Sequence, residues 1–82
     1  MEKLDFEWED IITKHECKDG NSKIEITILD IDAEKREMTI LTKQNNILKL
    51  TTTRVYTDEI GFLYFCYPHT YSDEIYIQES YL

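Results

Sequence analysis

Three consecutive stretches rich in Ile, Thr and Val constrain this chain more than any other feature. They are Lys23 to Asp32 (KIEITILDID), Glu37 to Lys43 (EMTILTK) and Ile47 to Tyr56 (ILKLTTTRVY). β-Branched side chains are stiff in a helix and pack well on a pleated surface. Each stretch has the length of a strand, and short polar segments separate them. The middle of the chain therefore reads as three antiparallel strands joined by two hairpins.

Register follows from which residues must share a face, because a one-residue slip turns every side chain to the other side. Met38, Ile40 and Thr42 share one face of the second strand, and Leu48, Leu50 and Thr52 share one face of the third. A two-residue turn at Asn45-Asn46 sends these two sets to opposite faces. A three-residue loop, Gln44-Asn45-Asn46, pairs Thr42 with Leu48 and Ile40 with Leu50. That loop is the expectation, with Asn46 in the left-handed conformation that Asn tolerates. In the first hairpin a four-residue loop, Ala33 to Arg36, pairs Ile31 with Met38 and Leu29 with Ile40. The first strand then buries odd-numbered residues at its end but Ile24, Ile26 and Ile28 at its start. The change of parity at Ile28-Leu29 reads either as burial on both faces or as a β-bulge or bend. A strand that bends and serves two layers is typical of small barrels.

The remaining segments add to this frame. Leu4, Trp8, Ile11 and Ile12 have helical spacing, acids crowd the first turns, and Lys14 closes the stretch. A short helix within residues 1–14, packing Trp8 onto the sheet, is expected. The alternation of Leu4, Phe6 and Trp8 leaves open an extended reading. In it, residues 8–17 pair with the first central strand through a turn at Lys18-Asp19-Gly20-Asn21. Gly61 to Tyr67 (GFLYFCY) is a fourth strand, apolar on both faces and therefore central, ended by Pro68. Glu74 to Glu79 is a fifth, with Ile75 and Ile77 inward and Tyr76 and Gln78 outward. The expected fold is mainly β (α+β): a short N-terminal helix, then about five antiparallel strands over 23–82 forming a small barrel or highly bent sheet. Sm-like and oligonucleotide-binding barrels have about this size and strand count, an analogy of fold that carries no function. The 82 residues make one small domain with a modest core.

Charge is distributed unevenly. Residues 1–10 hold five acids and one Lys, residues 11–54 seven acids and eight bases, and residues 55–82 five acids with no Lys or Arg. The segment charges of −4, +1 and −5 sum to the net −8. Direct binding to nucleic acid or an anionic membrane needs a basic footprint and is disfavoured. No apolar run is long enough to span a bilayer, and MEKLDFEWED lacks the pattern of a signal peptide, so a cytoplasmic, unprocessed protein is expected. Two Cys form no disulfide framework.

Two features invite chemistry. His15-x-Cys17 and Cys66-x-x-His69 supply the residue types of a tetrahedral zinc site, but neither half is a paired-Cys knuckle and Cys66 lies in an apolar strand. Core or loop positions explain these residues, so no metal, cofactor or catalytic group is assigned, and the chain is not expected to be an enzyme. The second feature is stronger. All six Tyr fall within residues 56–81, in the segment that carries acids and no base. Structurally, Tyr64 or Tyr67 belongs to the core and the rest are ordinary strand residues. Functionally, Tyr buries a large area at low entropic cost and anchors protein interfaces. The candidate partner-binding residues are Tyr71, Asp73, Glu74, Tyr76, Glu79 and Tyr81, with Asp58 and Glu59.

The functional expectation is a non-enzymatic protein-binding module. Its acidic, Tyr-bearing face would dock on a basic nucleic-acid-handling protein and inhibit it as a DNA or RNA mimic, as a phage or mobile-element antagonist would. The alternative is an oligomerising β-barrel module, assembled by strand addition at an edge such as Glu74 to Glu79, whose charge serves solubility only.

Overall fold

The computed structural model describes residues 6–78, among which seven strands form two antiparallel sheets. The first is a four-stranded meander: β1 (Lys14–Asp19), β2 (Ser22–Asp32), β3 (Glu37–Gln44) and β4 (Ile47–Arg54). The second is a smaller meander: β5 (Tyr56–Thr57), β6 (Leu63–Cys66) and β7 (Glu74–Tyr76), with β6 central as its apolar character requires. The two buried faces meet in one core. Ile24, Ile26, Ile28, Met38 and Ile40 come from the large sheet; Leu63, Phe65 and Ile77 come from the small sheet or its continuation; Ile11 and Val55 lie between. Phe65, Ile40 and Ile77 are fully excluded from solvent.

The chain passes between the sheets at two corners. At Val55, β4 ends and β5 begins, and the Val55 N–H donates to the Arg36 carbonyl at 2.9 Å. At the other corner the Ile12 N–H donates to the Ile77 carbonyl of the small-sheet side at 2.7 Å, and the Ile28 N–H of β2 donates to the Thr13 carbonyl at 2.8 Å. The expected single strand from Ile47 to Tyr56 is thus two strands in two sheets. The sheets do not close into a barrel. Between β4 and β6, and between β1 and β7, the ladders are replaced by grooves.

The expected helix over 1–14 is replaced by a single 3-10 turn, Trp8–Asp10, within the described part of that segment. Its N-cap, Glu7, makes no side-chain capping bond. A short uncapped helix carries the full cost of nucleation, whereas an extended chain at Ile11–Thr13 satisfies its backbone on both sheets. The extended reading therefore prevails, with the paired strand spanning Lys14–Asp19. Trp8 does not pack onto the sheet: it is 49% exposed, and Phe6 and Ile11 contact the core instead.

The hairpins show which sequence signals dominate. Asp32 closes the Ala33–Arg36 loop by accepting N–H bonds from Glu34 and Lys35, and Ile31 faces Met38 as expected. The register shifts between Ile28 and Asp30, so the parity change is a β-bulge that leaves Leu29 unpaired and sets Ile28, rather than Leu29, opposite Ile40. In the second hairpin the expected three-residue loop is absent. Gln44 pairs with Ile47 across a two-residue turn in which Asn45 and Asn46 both have positive φ, 52° and 65°. That pattern is a type I′ turn, whose twist matches the strands it joins. Thr42 accordingly faces Lys49, and Leu50 faces Leu41. The leucines of β4 move to the outer face.

Among the described residues, no helix is long and apolar enough to cross a membrane. Phe65 and Ile40 are the natural probes of the core. Phe65→Ala should cost about 3–5 kcal/mol and Ile40→Ala about 2–5 kcal/mol, a large fraction of the stability of so small a domain. Urea titration followed by fluorescence measures both.

Candidate functional site

The core of the small sheet decides what its outer face presents. Leu63 and Phe65 point inward, so Tyr64 and Cys66, by alternation, point outward. Register sets Tyr64 opposite Tyr56 on one side and opposite Tyr76 on the other. The three rings form a row across the sheet. Tyr56 and Tyr64 are stacked with centroids 5.4 Å apart, and Tyr64 and Tyr76 are tilted at the same distance. Such cross-strand aromatic pairs stabilise a sheet that is otherwise only two to four residues deep. At one end of the row the Arg54 guanidinium lies 5.9 Å from the centroid of Tyr56.

Carboxylates gather at the other end. The Tyr76 hydroxyl donates to Glu74 Oε2 at 3.2 Å. Asp58 also reaches this hydroxyl. Asp58 is fixed by its own loop, because its Oδ1 accepts the N–H groups of Ile60, Gly61 and Phe62 at 2.9, 2.8 and 2.8 Å. Gly61 adopts φ of 107°, which favours glycine and lets this loop close. Partial loss of water works to raise the Asp58 carboxyl, but the three N–H donors and the Tyr76 hydroxyl outweigh it and hold the carboxyl below its usual value. Tyr76 responds in the opposite sense. Burial of its ring, the hydrogen bond and charge of Glu74, and Asp58 push its hydroxyl up to about 12. Tyr64 is also raised, by burial and then by the charge of Glu74.

A groove of about 630 Å³ adjoins this row between β1 and β7. Glu16, Cys17 and Lys18 line one side, and Tyr67, Asp73, Glu74 and Tyr76 the other. The Glu16 carboxylate is engaged by Lys23 at 3.0 Å. Above the groove the His69–Ser72 loop is closed by two reciprocal bonds, from Ser72 N–H to the His69 carbonyl and from His69 N–H to Ser72 Oγ. Tyr71 stands at its tip, 94% exposed.

Of the predicted residues, the structure brings together Asp58, Glu74 and Tyr76, with Asp73 beside them in the groove. Glu59 is exposed in the Asp58 loop, and Tyr71 projects separately. Glu79 and Tyr81 lie outside the described residues. Sequence reasoning missed Tyr56 and Tyr64 as surface residues. Tyr64, a core candidate in the sequence, faces outward and only half-buried. Its alternation with Leu63 and Phe65 was the available signal.

Of the Cys and His residues, Cys17 lines this groove and Cys66 pairs with Glu74 on the small sheet. The His15 ring nitrogen contacts the Ile12 carbonyl at 2.8 Å, and its ring meets Phe65 edge-on at 5.7 Å. Cys17 and Cys66 are free thiols, each raised by burial, then by Asp19 and by Glu74 respectively. Among the described residues, no group of three or more His, Cys, Asp and Glu could hold a metal ion. No family model, curated protein or solved structure matches this chain.

Two measurements test this geometry. Asp58→Ala should lower the thermal midpoint by removing the acceptor for three N–H groups, and Asp58→Asn, which keeps an acceptor oxygen, should lower it less. In an ultraviolet titration Tyr76 should ionise near pH 12 in the folded protein, and Glu74→Gln should bring it back toward the ordinary value of about 10. The raised folded value favours the protonated, folded state. Its contribution is complete below the unfolded value and is lost as pH rises from about 10 through about 12.

Proposed function

We propose that the chain is a non-enzymatic binding module that docks its acidic, tyrosine-bearing face on a basic surface of a nucleic-acid-handling protein. In doing so it acts as an inhibitor in place of DNA or RNA. The observation that carries this reading is the row of Tyr56, Tyr64 and Tyr76 with the carboxylates of Asp58 and Glu74 at one end. A tyrosine face receives a guanidinium through cation–π attraction, and a neighbouring carboxylate receives its N–H donors. Arg54 over Tyr56 makes the first of these contacts within the chain itself.

Grooves that bind nucleic acid are rich in Arg and Lys because they must neutralise phosphate. Asp73 and Glu74 in the adjoining groove, with Glu16 on the facing wall, extend the negative surface and outnumber Lys18, the base that lines the groove with them. The ordered hydrogen bonds of Asp58 and Glu74 fix the carboxylates before a partner arrives, which reduces the ordering cost of binding. A cytoplasmic antagonist from a phage or mobile element would act in this way on a host enzyme.

The test is capture of host proteins on the immobilised chain, eluted with a salt gradient and challenged with duplex DNA. A basic partner released at moderate salt and displaced by DNA is expected. With that partner purified, Asp73→Asn with Glu74→Gln should weaken binding by ~10-fold or more and flatten its salt dependence. Tyr64→Ala should weaken it without changing the salt dependence. A neutral or acidic partner, or a complex indifferent to both salt and DNA, would sink the reading.

A further inference from the structure

The outer face of the large sheet is the least expected surface of this molecule. The type I′ turn at Asn45-Asn46 places Leu48 and Leu50 outside, 62% and 65% exposed, with Ile47 at the hairpin end 69% exposed. Leu50 faces half-buried Leu41 on β3, and the bulge leaves Leu29 on the same outer face at 48% exposure. Leu48, Leu50, Leu41 and Leu29 run diagonally across three strands among Thr27, Thr39 and Thr52, with Lys43 opposite Leu48, while Ile47 stands on the other side of β4 by alternation. The patch is on the order of 400 Å², the size at which an apolar surface is commonly functional. It ends on an open edge. Among the described residues no strand pairs with the outer side of β4, and in a two-residue hairpin the outward backbone groups are those of Leu48, Leu50 and Thr52.

We propose that the open edge of this sheet binds a second copy of the chain, with the Ile47–Leu50 portions of two β4 edges meeting antiparallel about a two-fold axis. Charge distribution points to a copy. The protein carries −8 overall, yet residues 11–54, which include the whole large sheet, carry +1. Asp58, Glu59, Asp73 and Glu74 lie on the small sheet and its loops, so the β4 edge is a place where two strongly acidic molecules can meet without opposing those carboxylates. The edge is also self-complementary. An axis at Leu48 or Leu50 sets each leucine against itself, or against Asn46 or Thr52 of the copy, and opposes no like charges. An axis at Lys49 would bring two ammonium groups together and is excluded on that ground. The inference does not depend on the acidic-face reading, which concerns the other sheet.

Sedimentation over a concentration series tests it. The native chain should sediment as a dimer at high concentration and dissociate on dilution. Leu48→Glu and Leu50→Glu alter exposed side chains and should leave the circular dichroism spectrum and its melt at low concentration unchanged. Each should weaken dimerisation by ~100-fold or more, because the two-fold axis opposes the new carboxylates. Asp73→Asn with Glu74→Gln should leave the dimer unaffected. A native chain that stays monomeric up to its solubility limit would overturn the proposal and assign the face to a different protein. A dimer that survives both leucine substitutions would overturn it as well.

Discussion

The fold depends on the contact between Phe65 and Ile77 of the small sheet and the Ile24, Ile26 and Ile40 row of the large one. A sheet as shallow as β5–β7 has too few hydrogen bonds to persist alone. It is held by the side chains it buries. Once Leu63 and Phe65 are inside, strand alternation leaves no choice about Tyr64, and antiparallel register leaves little about Tyr56 and Tyr76. The tyrosine row is therefore the outer image of the core. Change which residues are buried and the surface chemistry changes with them.

The two corners set the rest. Val55 and Ile11–Thr13 carry the chain from one sheet to the other, and each uses backbone hydrogen bonds on the sheet it reaches. The sheets are tied there and open elsewhere, which is why grooves stand where a barrel would have ladders. One groove is walled by Glu16 on β1 and by Asp73 and Glu74 at β7; the other lies between the Thr51–Arg54 end of β4 and the Cys66–Thr70 segment. The acidic groove exists because the barrel does not close. A continuous ladder from β1 to β7 would have filled it with backbone.

Much of this was legible in the residues, and the failures have identifiable causes. The central strands as far as Arg54, the strand at Leu63–Cys66, the Gly20 turn, the Ala33–Arg36 loop and, as one of two readings, the bulge near Leu29 follow from local pattern and turn chemistry. The helix failed because the spacing of apolar residues does not see the backbone partners that the segment Ile11–Thr13 finds at Ile77 and Ile28. The second hairpin failed because two rules conflict there. Burial of Leu48 and Leu50 asks for a three-residue loop, while the tolerance of Asn for positive φ favours a two-residue turn. The turn prevails because the inner face of β4 is served by Lys49, Thr51 and Thr53, and because Thr42, buried there, donates its hydroxyl to the Lys49 carbonyl at 3.3 Å. For the candidate site, Asp58, Glu74 and Tyr76 were legible as residue types, but their meeting depends on register between β6 and β7 that no local pattern specifies.

The same conflict explains why the two surfaces of this molecule differ. Where local preferences and burial agree, a surface needs no partner to account for it. At β4 they disagree, and a sequence that leaves Ile47, Leu48 and Leu50 exposed either accepts a hazard of aggregation or uses the edge. Electrostatics then limits the use. A face of near-neutral charge on an acidic molecule can associate with its like, while the tyrosine face cannot, since its carboxylates would meet. Pairing through β4 would leave both small sheets outward and hold two acidic, aromatic surfaces in one particle. A partner with repeated basic sites would then be engaged at a raised effective concentration, provided the spacing of the two faces matches the spacing of those sites.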